Sequence, residues 1–273
     1  MSEPLVYIPT YNRDRLPSVE NMRGTRILER TALVVHPDEV DRYAHHGVQV
    51  ISCPVQGDLG TVRQWLLDRH RGRKMVQMDD DLKFAVRRLD NPKKFVPATA
   101  EDVDVMFDRV FELLDDVPLV GVRQRGGANN SVPPFEIAVR QCMFHGIDVD
   151  VARKEGFNYK PIVFEDFDYT LQVLTRGYQN AVLTTHTIDQ GESNAPGGVA
   201  AYRDNIRMER DAADLGLEYP DFVKVVRKPG WRGLGGERTD VTVQWKKALS
   251  SAELQTDLDV EKYRDRWANN DLI

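Results

Sequence analysis

Met75-Val76-Gln77-Met78-Asp79-Asp80-Asp81-Leu82-Lys83-Phe84 is an apolar, strand-like run that stops on three consecutive carboxylates. Adjacent carboxylates repel one another, and burial raises the penalty, so such a cluster persists where a cation or a polar network neutralises it. A hard divalent ion is the simplest partner. In an extended segment alternate side chains point the same way, so Asp79 and Asp81 would share the ion while Asp80 faces elsewhere. The competing reading is a solvated acidic turn after a strand.

Upstream, Leu5-Val6-Tyr7-Ile8, Ala32-Leu33-Val34-Val35 and Val48-Gln49-Val50-Ile51 read as three more strands. Between the third and the fourth, Gly60 to Arg71 sets Val62, Trp65, Leu66 and Arg69 at helical spacing, with Gly72 as the stop. Downstream, Thr99 and Asp102 resemble a helix cap ahead of the apolar stripe Val103, Met106, Phe107, Val110, Leu113 and Leu114. Strands are then expected over Leu119–Val122, over Ile137–Phe144 and over Ala181–Thr185, with a helix over Asp166–Thr175 that Gly177 ends. Strands alternating with helices predict an α/β protein with a Rossmann-like, mixed but largely parallel sheet. From residue 199 onward a charged helix, a β-like Phe222–Val226 and a glycine-rich basic stretch around Trp231 form a helical and basic C-terminal extension. Residues 1–200 are accordingly read as the catalytic domain, and 201–273 as an extension suited to touching an acceptor.

Ligands of open parallel sheets bind beyond the carboxyl ends of the strands, and the chemically informative residues of this chain cluster there. Pro9-Thr10-Tyr11-Asn12-Arg13 offers backbone N–H groups, an aromatic face and a guanidinium to a nucleotide. Gly60 marks a helix start and Arg63 lies one turn inside it, an arrangement that attracts phosphate; a plain surface helix fits Arg63 equally. Glu165 and Asp166 open another helix, either as dipole-favoured caps or as a base for an acceptor hydroxyl, Asp166 before Glu165. His186 follows a strand, and an imidazole completing an oxygen-rich site would tilt the ion toward manganese. Gly191–Gly198, with its three glycines, reads as a lid or an inert loop.

The 273 residues are 41% hydrophobic, enough for a sizeable core, yet no apolar run approaches the ~20 residues needed to cross a bilayer. Met1-Ser2-Glu3-Pro4 leads straight into a strand without a secretory pattern, so a cytoplasmic protein with no membrane partner is expected. Cys53 and Cys142 lack zinc-type spacing and read as buried thiols. The net charge of −6 argues against a generally basic nucleic-acid binder. Residues 224–247 nevertheless carry Lys224, Arg227, Lys228, Arg232, Arg238, Lys246 and Lys247 against Glu237 and Asp240, a local cationic surface for a polyanion or a solvated loop.

In this order and spacing the nucleotide loop, Gly60 with Arg63, the Asp79-Asp80-Asp81 motif, and Glu165-Asp166 followed by His186 resemble the glycosyltransferases of the GT-A fold. More narrowly, Thr61–Trp65, Met78–Leu82, Phe164–Asp168 and Arg238–Lys247 resemble the phage TET-associated glycosyltransferases, which act on 5-hydroxymethylcytosine in DNA. The resemblance implies a metal-dependent transfer from a nucleoside-diphosphate sugar, a UDP-sugar first, to a hydroxyl acceptor. Pro9, Thr10, Tyr11, Arg13, Arg63, Asp79 and Asp80 would hold the donor, and Asp79, Asp81 and His186 a Mn2+ or Mg2+ ion. Asp166 or Glu165 would serve the acceptor, and Trp231 or Trp245 would stack on exposed bases. If phage-encoded, the enzyme would work in the host cytoplasm on DNA bearing hydroxymethylated bases. A carbohydrate or protein acceptor, or a non-catalytic nucleotide-sugar-binding module, are the alternatives.

Overall fold

The computed structural model describes residues 3–55, 57–88, 90–131, 133–190, 203–230 and 236–268. In chain order the elements are β1 (Val6–Pro9), α1 (Pro17–Asn21), β2 (Thr31–Val35), the single-turn α2 (Val40–Tyr43), β3 (Gln49–Ser52), α3 (Leu59–Arg69) and β4 (Lys74–Met78). Next come β5 (Lys83–Arg87), β6 (Phe95–Pro97), α4 (Ala100–Leu113), β7 (Leu119–Gln124), β8 (Phe135–Ile137), β9 (Phe144–Asp148), α5 (Val149–Glu155), α6 (Glu165–Thr175) and β10 (Ala181–Asp189). The C-terminal part adds α7 (Asn205–Glu218), β11 (Val223–Pro229), β12 (Glu237–Val243), α8 (Trp245–Leu249) and α9 (Val260–Ala268).

Ten strands form one mixed sheet in the order β3-β2-β1-β4-β9-β7-β10-β5-β6, with β8 paired to β10. β3, β2, β1 and β4 are mutually parallel, as are β7 and β10; antiparallel pairings through β9 join these two groups, and β5, β6 and β8 are added antiparallel beside β10. The chain runs from β1 outward to β2 and β3 and then returns to place β4 on the other side of β1. That reversal opens a crevice beyond the carboxyl ends of β1 and β4, where open α/β sheets bind ligands.

Local sequence explains the elements that frame this crevice. α4 is closed by a capping box, in which Asp102 N donates to Thr99 Oγ1 at 3.2 Å and Thr99 N to Asp102 Oδ2 at 2.7 Å. Its buried stripe of Val103, Met106, Phe107, Val110 and Leu113 packs one sheet face together with Val6, Ile8, Val76 and Phe144. The other face is packed by Leu66 and Leu67 of α3, Ala152 of α5, and Tyr169 and Val173 of α6. A third cluster joins Phe167 and Leu171 of α6 to Met208, Ala212 and Leu215 of α7 and to Val223 and Val241 of the β11–β12 hairpin.

Two local expectations change. α3 ends at Arg69, because His70 turns extended and its ring is buried against Tyr7, whose hydroxyl meets Nδ1 at 3.0 Å; Gly72 is not the stop. Residues 138–143 are not strand. Ala138 (φ 54°) and Met143 (φ 64°) are both left-handed, which breaks the ladder at each end of the segment, and β9 starts only at Phe144.

Candidate functional site

The aspartate cluster occupies a tight turn. β4 stops at Met78, Asp80 and Asp81 make a turn, and β5 resumes at Lys83, so the strand alternation expected to pair Asp79 with Asp81 does not apply. Ser18, at the start of α1, holds the turn closed. Its Oγ donates to Asp79 O (2.6 Å) and accepts from Leu82 N (2.9 Å), while its N–H donates to Asp80 O (3.1 Å). Asp79 Oδ1 receives Arg63 Nη2 at 2.9 Å. Asp80 takes Arg13 Nε at 3.3 Å, and Asp81 lies 4.0 Å from Arg13 Nη2. Burial drives the Asp79 carboxyl up to about 6 and that of Asp80 up to about 7, partly offset by Arg63 and Arg13 respectively and reinforced by Asp81 in both cases. Burial raises Asp81 too. Arg13, Arg63 and, at Asp79, Arg203 thus offset only part of the effect of burial.

The nucleotide loop follows β1. Pro9 ends the strand, and Thr10 is buried, its hydroxyl turned inward onto Ile8 O (3.2 Å) and its N–H donating to Val34 O (2.9 Å), so neither group is offered to a nucleotide. Tyr11 is half exposed, and Asn12 is left-handed (φ 51°), its N–H donating to Glu39 Oε1 at 3.0 Å. Tyr11 and Asn12, with His36, Asp38 and Glu39 beyond β2, line an open depression of about 400 Å³. Sequence reasoning missed this second wall, which the succession of a strand end and Asp38-Glu39 would have signalled.

Arg63 is fully buried, under the aspartate turn rather than on a surface helix. Its guanidinium reaches Asp79, stands 3.9 Å from Glu165 Oε1 and lies over the Tyr159 ring at 5.8 Å. The amino terminus of α3 is not an anion site: Asp58 caps it, accepting from Thr61 N at 3.0 Å, and Arg207 of α7 pairs with the same carboxylate. Gly60 is there for closeness, since a Cβ at that position would penetrate the Lys160 carbonyl.

Glu165 and Asp166 open α6 and are both buried. Burial and the neighbouring Asp166 lift Glu165 to about 8, against the pull of Arg63. Asp166 Oδ1 accepts from Phe167 N at 2.9 Å, and Oδ2 from Arg140 Nε (3.0 Å) and Nη2 (2.6 Å). Arg140 stacks on Phe167 at 3.9 Å and sits in the segment bracketed by left-handed Ala138 and Met143. Asn180 Oδ1 holds Ala138 N, and Met143 O receives Asp79 N, so this segment links α6 to the aspartate turn. Arg140 was overlooked because 137–144 read as strand; a charged residue inside an apolar run was the available signal.

Other expected contributors lie elsewhere. His186 is buried with its ring toward α4, where Arg109 and Asp102 are its charged neighbours; burial drives it down to about 3. It therefore does not join Asp79 and Asp81, and among the described residues no three His, Cys, Asp or Glu side chains converge as a ligand set. Trp245 is half-buried and packs on Phe167 at 5.7 Å against the third core cluster. Trp231, Arg232 and the loop Gly191–Gly198 lie outside the described residues. Both cysteines are free thiols, Cys53 buried and Cys142 partly so. No described helix is long and apolar enough to cross a membrane.

This geometry has counterparts. The Beta-glucosyl-HMC-alpha-glucosyl-transferase of Enterobacteria phage T6 is 23% identical over 230 residues, covering 78% of this chain and 80% of that protein. Among solved structures, S. aureus TarS 1-349 in complex with UDP-GlcNAc matches with a TM-score of 0.50 at 14% identity, over 79% of this chain and 67% of that one. The mannosyltransferase PcManGT from Pyrobaculum calidifontis, in complex with GDP-Man and Mn2+, matches with a TM-score of 0.50 at 16% identity, over 81% and 66%. Both likenesses are of fold, the GT-A type. The profile of the TET-Associated Glycosyltransferases matches residues 5–198, and a match over more than two thirds of the chain settles its kinship: this chain belongs to the TET-associated glycosyltransferases and is an enzyme of that class.

Proposed function

We propose that the enzyme moves a sugar from a UDP-sugar onto the hydroxyl of 5-hydroxymethylcytosine in DNA, with Mn2+ or Mg2+ at the aspartate turn. The observation that carries this reading is the bridge made by Arg63, 2.9 Å from Asp79 and 3.9 Å from Glu165. It brings the donor-side carboxylates and the acceptor-side acidic pair to one point. The acceptor identity is supported by the name of the phage T6 relative, and with that acceptor the reaction would take place in the host cytoplasm.

The uridine would occupy the depression beside Tyr11, Asp38 and Glu39, with its diphosphate directed at the aspartate turn and Arg13. A dication suits that turn, because its carboxyls are raised by burial and mutual repulsion beyond what Arg13 and Arg63 offset. Asp79 and Asp81 are the residues that would hold it, while Asp80 is engaged by Arg13. With His186 turned to α4 the donor set is all oxygen, which suits either ion. When bound, the ion supplies charge stabilisation for the departing diphosphate. Asp166, oriented by Arg140, takes the hydroxyl proton as the acceptor oxygen bonds to the anomeric carbon and the bond to the diphosphate breaks. Glu165, raised to about 8, is the protonated neighbour at neutral pH. Residues 1–200 constitute the catalytic region, and 201–273 its extension.

The test is incubation with a panel of nucleotide sugars, with each ion, on hydroxymethylcytosine-containing DNA and on unmodified DNA, read by mass spectrometry of the nucleosides. Hexose should appear on hydroxymethylcytosine alone. Sugar on a carbohydrate or protein hydroxyl, with none on modified DNA across the whole panel, overturns the acceptor. UDP with manganese should also raise the melting temperature, and Asp81→Asn should remove most of that rise.

A further inference from the structure

The basic tail is an obvious place for DNA to bind, but most of its cations are already spent. Arg227 pairs with Glu209 (2.9 Å), Lys228 and Arg238 share Asp240 (3.2 and 2.8 Å), and Lys247 donates to Asp221 O (2.8 Å). Cations that are less engaged lie on the acceptor side of the site, at the carboxyl end of β7. Arg123 is in register with Thr187 of β10, and Thr187 with Ala85 of β5, so these side chains project to one face. By alternation Lys83 and Arg87 share it, whereas Phe84 and His186 turn to the opposite face, where α4 packs.

On this face Arg125 lies over the Phe95 ring at 4.6 Å, and its guanidinium makes no hydrogen bond or ion pair with any described residue; its backbone N–H is pinned to Ile188 O at 2.8 Å. Arg123 has one ion pair, at 3.4 Å to Glu136, and its Nε is buried without a partner among the described residues. Lys83 is exposed, with Asp189 opposite it in the ladder. Cys142 Sγ stands 4.0 Å from Gln124 Oε1, the side chain between Arg123 and Arg125 in the chain, and Cys142 lies two residues after Arg140, which pairs with Asp166. A guanidinium stacked on an aromatic ring keeps its edge N–H groups for a phosphate, to which it can donate in bidentate fashion. Glu136 and Asp189 do not cancel Lys83, Arg123 and Arg125; Arg87 is buried and donates to the carbonyls of Thr184, Pro92 and Ala128, so it is not offered to a ligand.

We propose that Arg123 and Arg125, with Lys83 beside them, grip the phosphodiester backbone of the DNA acceptor next to the target base. The inference rests on the DNA reading above, and it moves the main contact from the tail into the cleft. Contacts of this kind set affinity and register and leave base identity to the site itself.

The experiment measures binding of a hydroxymethylated duplex across a sodium chloride series, without donor. It compares wild type with Arg123→Gln/Arg125→Gln, Arg125→Gln alone and Lys224→Gln/Lys246→Gln. Each lost phosphate contact lowers the log–log salt slope by about 0.9, so the cleft double variant should lose about 1.8 and the single variant about 0.9. The Lys224→Gln/Lys246→Gln slope should match wild type. The UDP-induced thermal shift should persist in the cleft variants, and Arg125→Gln, which has no ion pair to lose, guards against misfolding through Glu136. An unchanged slope in both cleft variants, or a loss confined to the tail variant, overturns this inference and leaves the DNA acceptor standing. A wild-type enzyme that hydrolyses donor but binds no DNA at any salt overturns both.

Discussion

Asp166 and Glu165 are sequence neighbours with opposite surroundings, and the roles proposed for them follow that difference. Asp166 accepts three N–H donors, two of them from Arg140, and in the proposed mechanism it is the group that takes the acceptor proton. Asp166→Asn should leave UDP binding intact and cut transfer by roughly a hundred- to ten-thousand-fold; undiminished turnover would pass the role to Glu165. Glu165 is raised to about 8 by burial and by Asp166, far above the ordinary carboxylate range. The folded state therefore holds a proton that the unfolded chain has released. Its contribution to stability is complete below the ordinary value and is lost as pH rises through about 8. Glu165→Gln cannot ionise, so its melting temperature should fall less than that of wild type between pH 5 and pH 9; parallel curves would show that Glu165 carries no such shift. Little of this was legible in the sequence. Glu165-Asp166 at a helix start could be recognised, but Arg140 approaches from a segment whose two left-handed ends no propensity scale flags.

At the scale of elements, the strands and helices with clean periods were readable and those shaped by distant contacts were not. β1, β2, β4, α4 and α6 fall within a residue or two of expectation, because alternation, the Thr99–Asp102 box and the stripe of α4 are local signals. At the aspartates local sequence leaves an extended strand end and an acidic turn both open, because closure of the turn depends on Ser18, about 60 residues away in the chain. Gly60 was read as a phosphate-attracting helix start, whereas it allows α3 to abut the Lys160 carbonyl just ahead of α6. That contact sets the spacing between the helix carrying Arg63 and the helix carrying Glu165. Gly60→Ala should therefore cost about 2 kcal/mol or more in stability and lower the transfer rate, since the obstacle is backbone and cannot swing away. A fully active, equally stable Gly60→Ala enzyme would show that α3 and α6 can separate without harm.

Taken as a whole, the molecule packs its core across the boundary its sequence suggests. The family match stops at residue 198, yet the segment after it completes the fold around the site. Met208, Ala212 and Leu215 of α7 fill the core cluster against Phe167 and Leu171 of α6. Asp211 of the same helix is fully buried and satisfies Val163 N at 2.9 Å, just before Glu165 and Asp166, while Arg207 pairs with Asp58 at the cap of α3. At the far end, α9 buries Tyr263 and Trp267 on Phe135, with Trp267 Nε1 donating to Glu112 at 3.0 Å and Tyr263 OH to Asp116 at 2.6 Å. Removing these helices would expose the apolar side chains of α6 and β8 and leave buried polar groups of the α3 and α6 lead-ins unpaired, costs that exceed the typical margin of a single domain. A chain truncated after residue 200 should be insoluble or lack a cooperative melting transition, and it should not bind UDP. Met208→Ala in the full chain offers the milder version, with an expected loss of about 2–5 kcal/mol and donor binding retained below the lowered transition. A truncated protein that melts cooperatively and still binds UDP would establish 1–200 as a self-sufficient domain and reduce α7 and α9 to accessories.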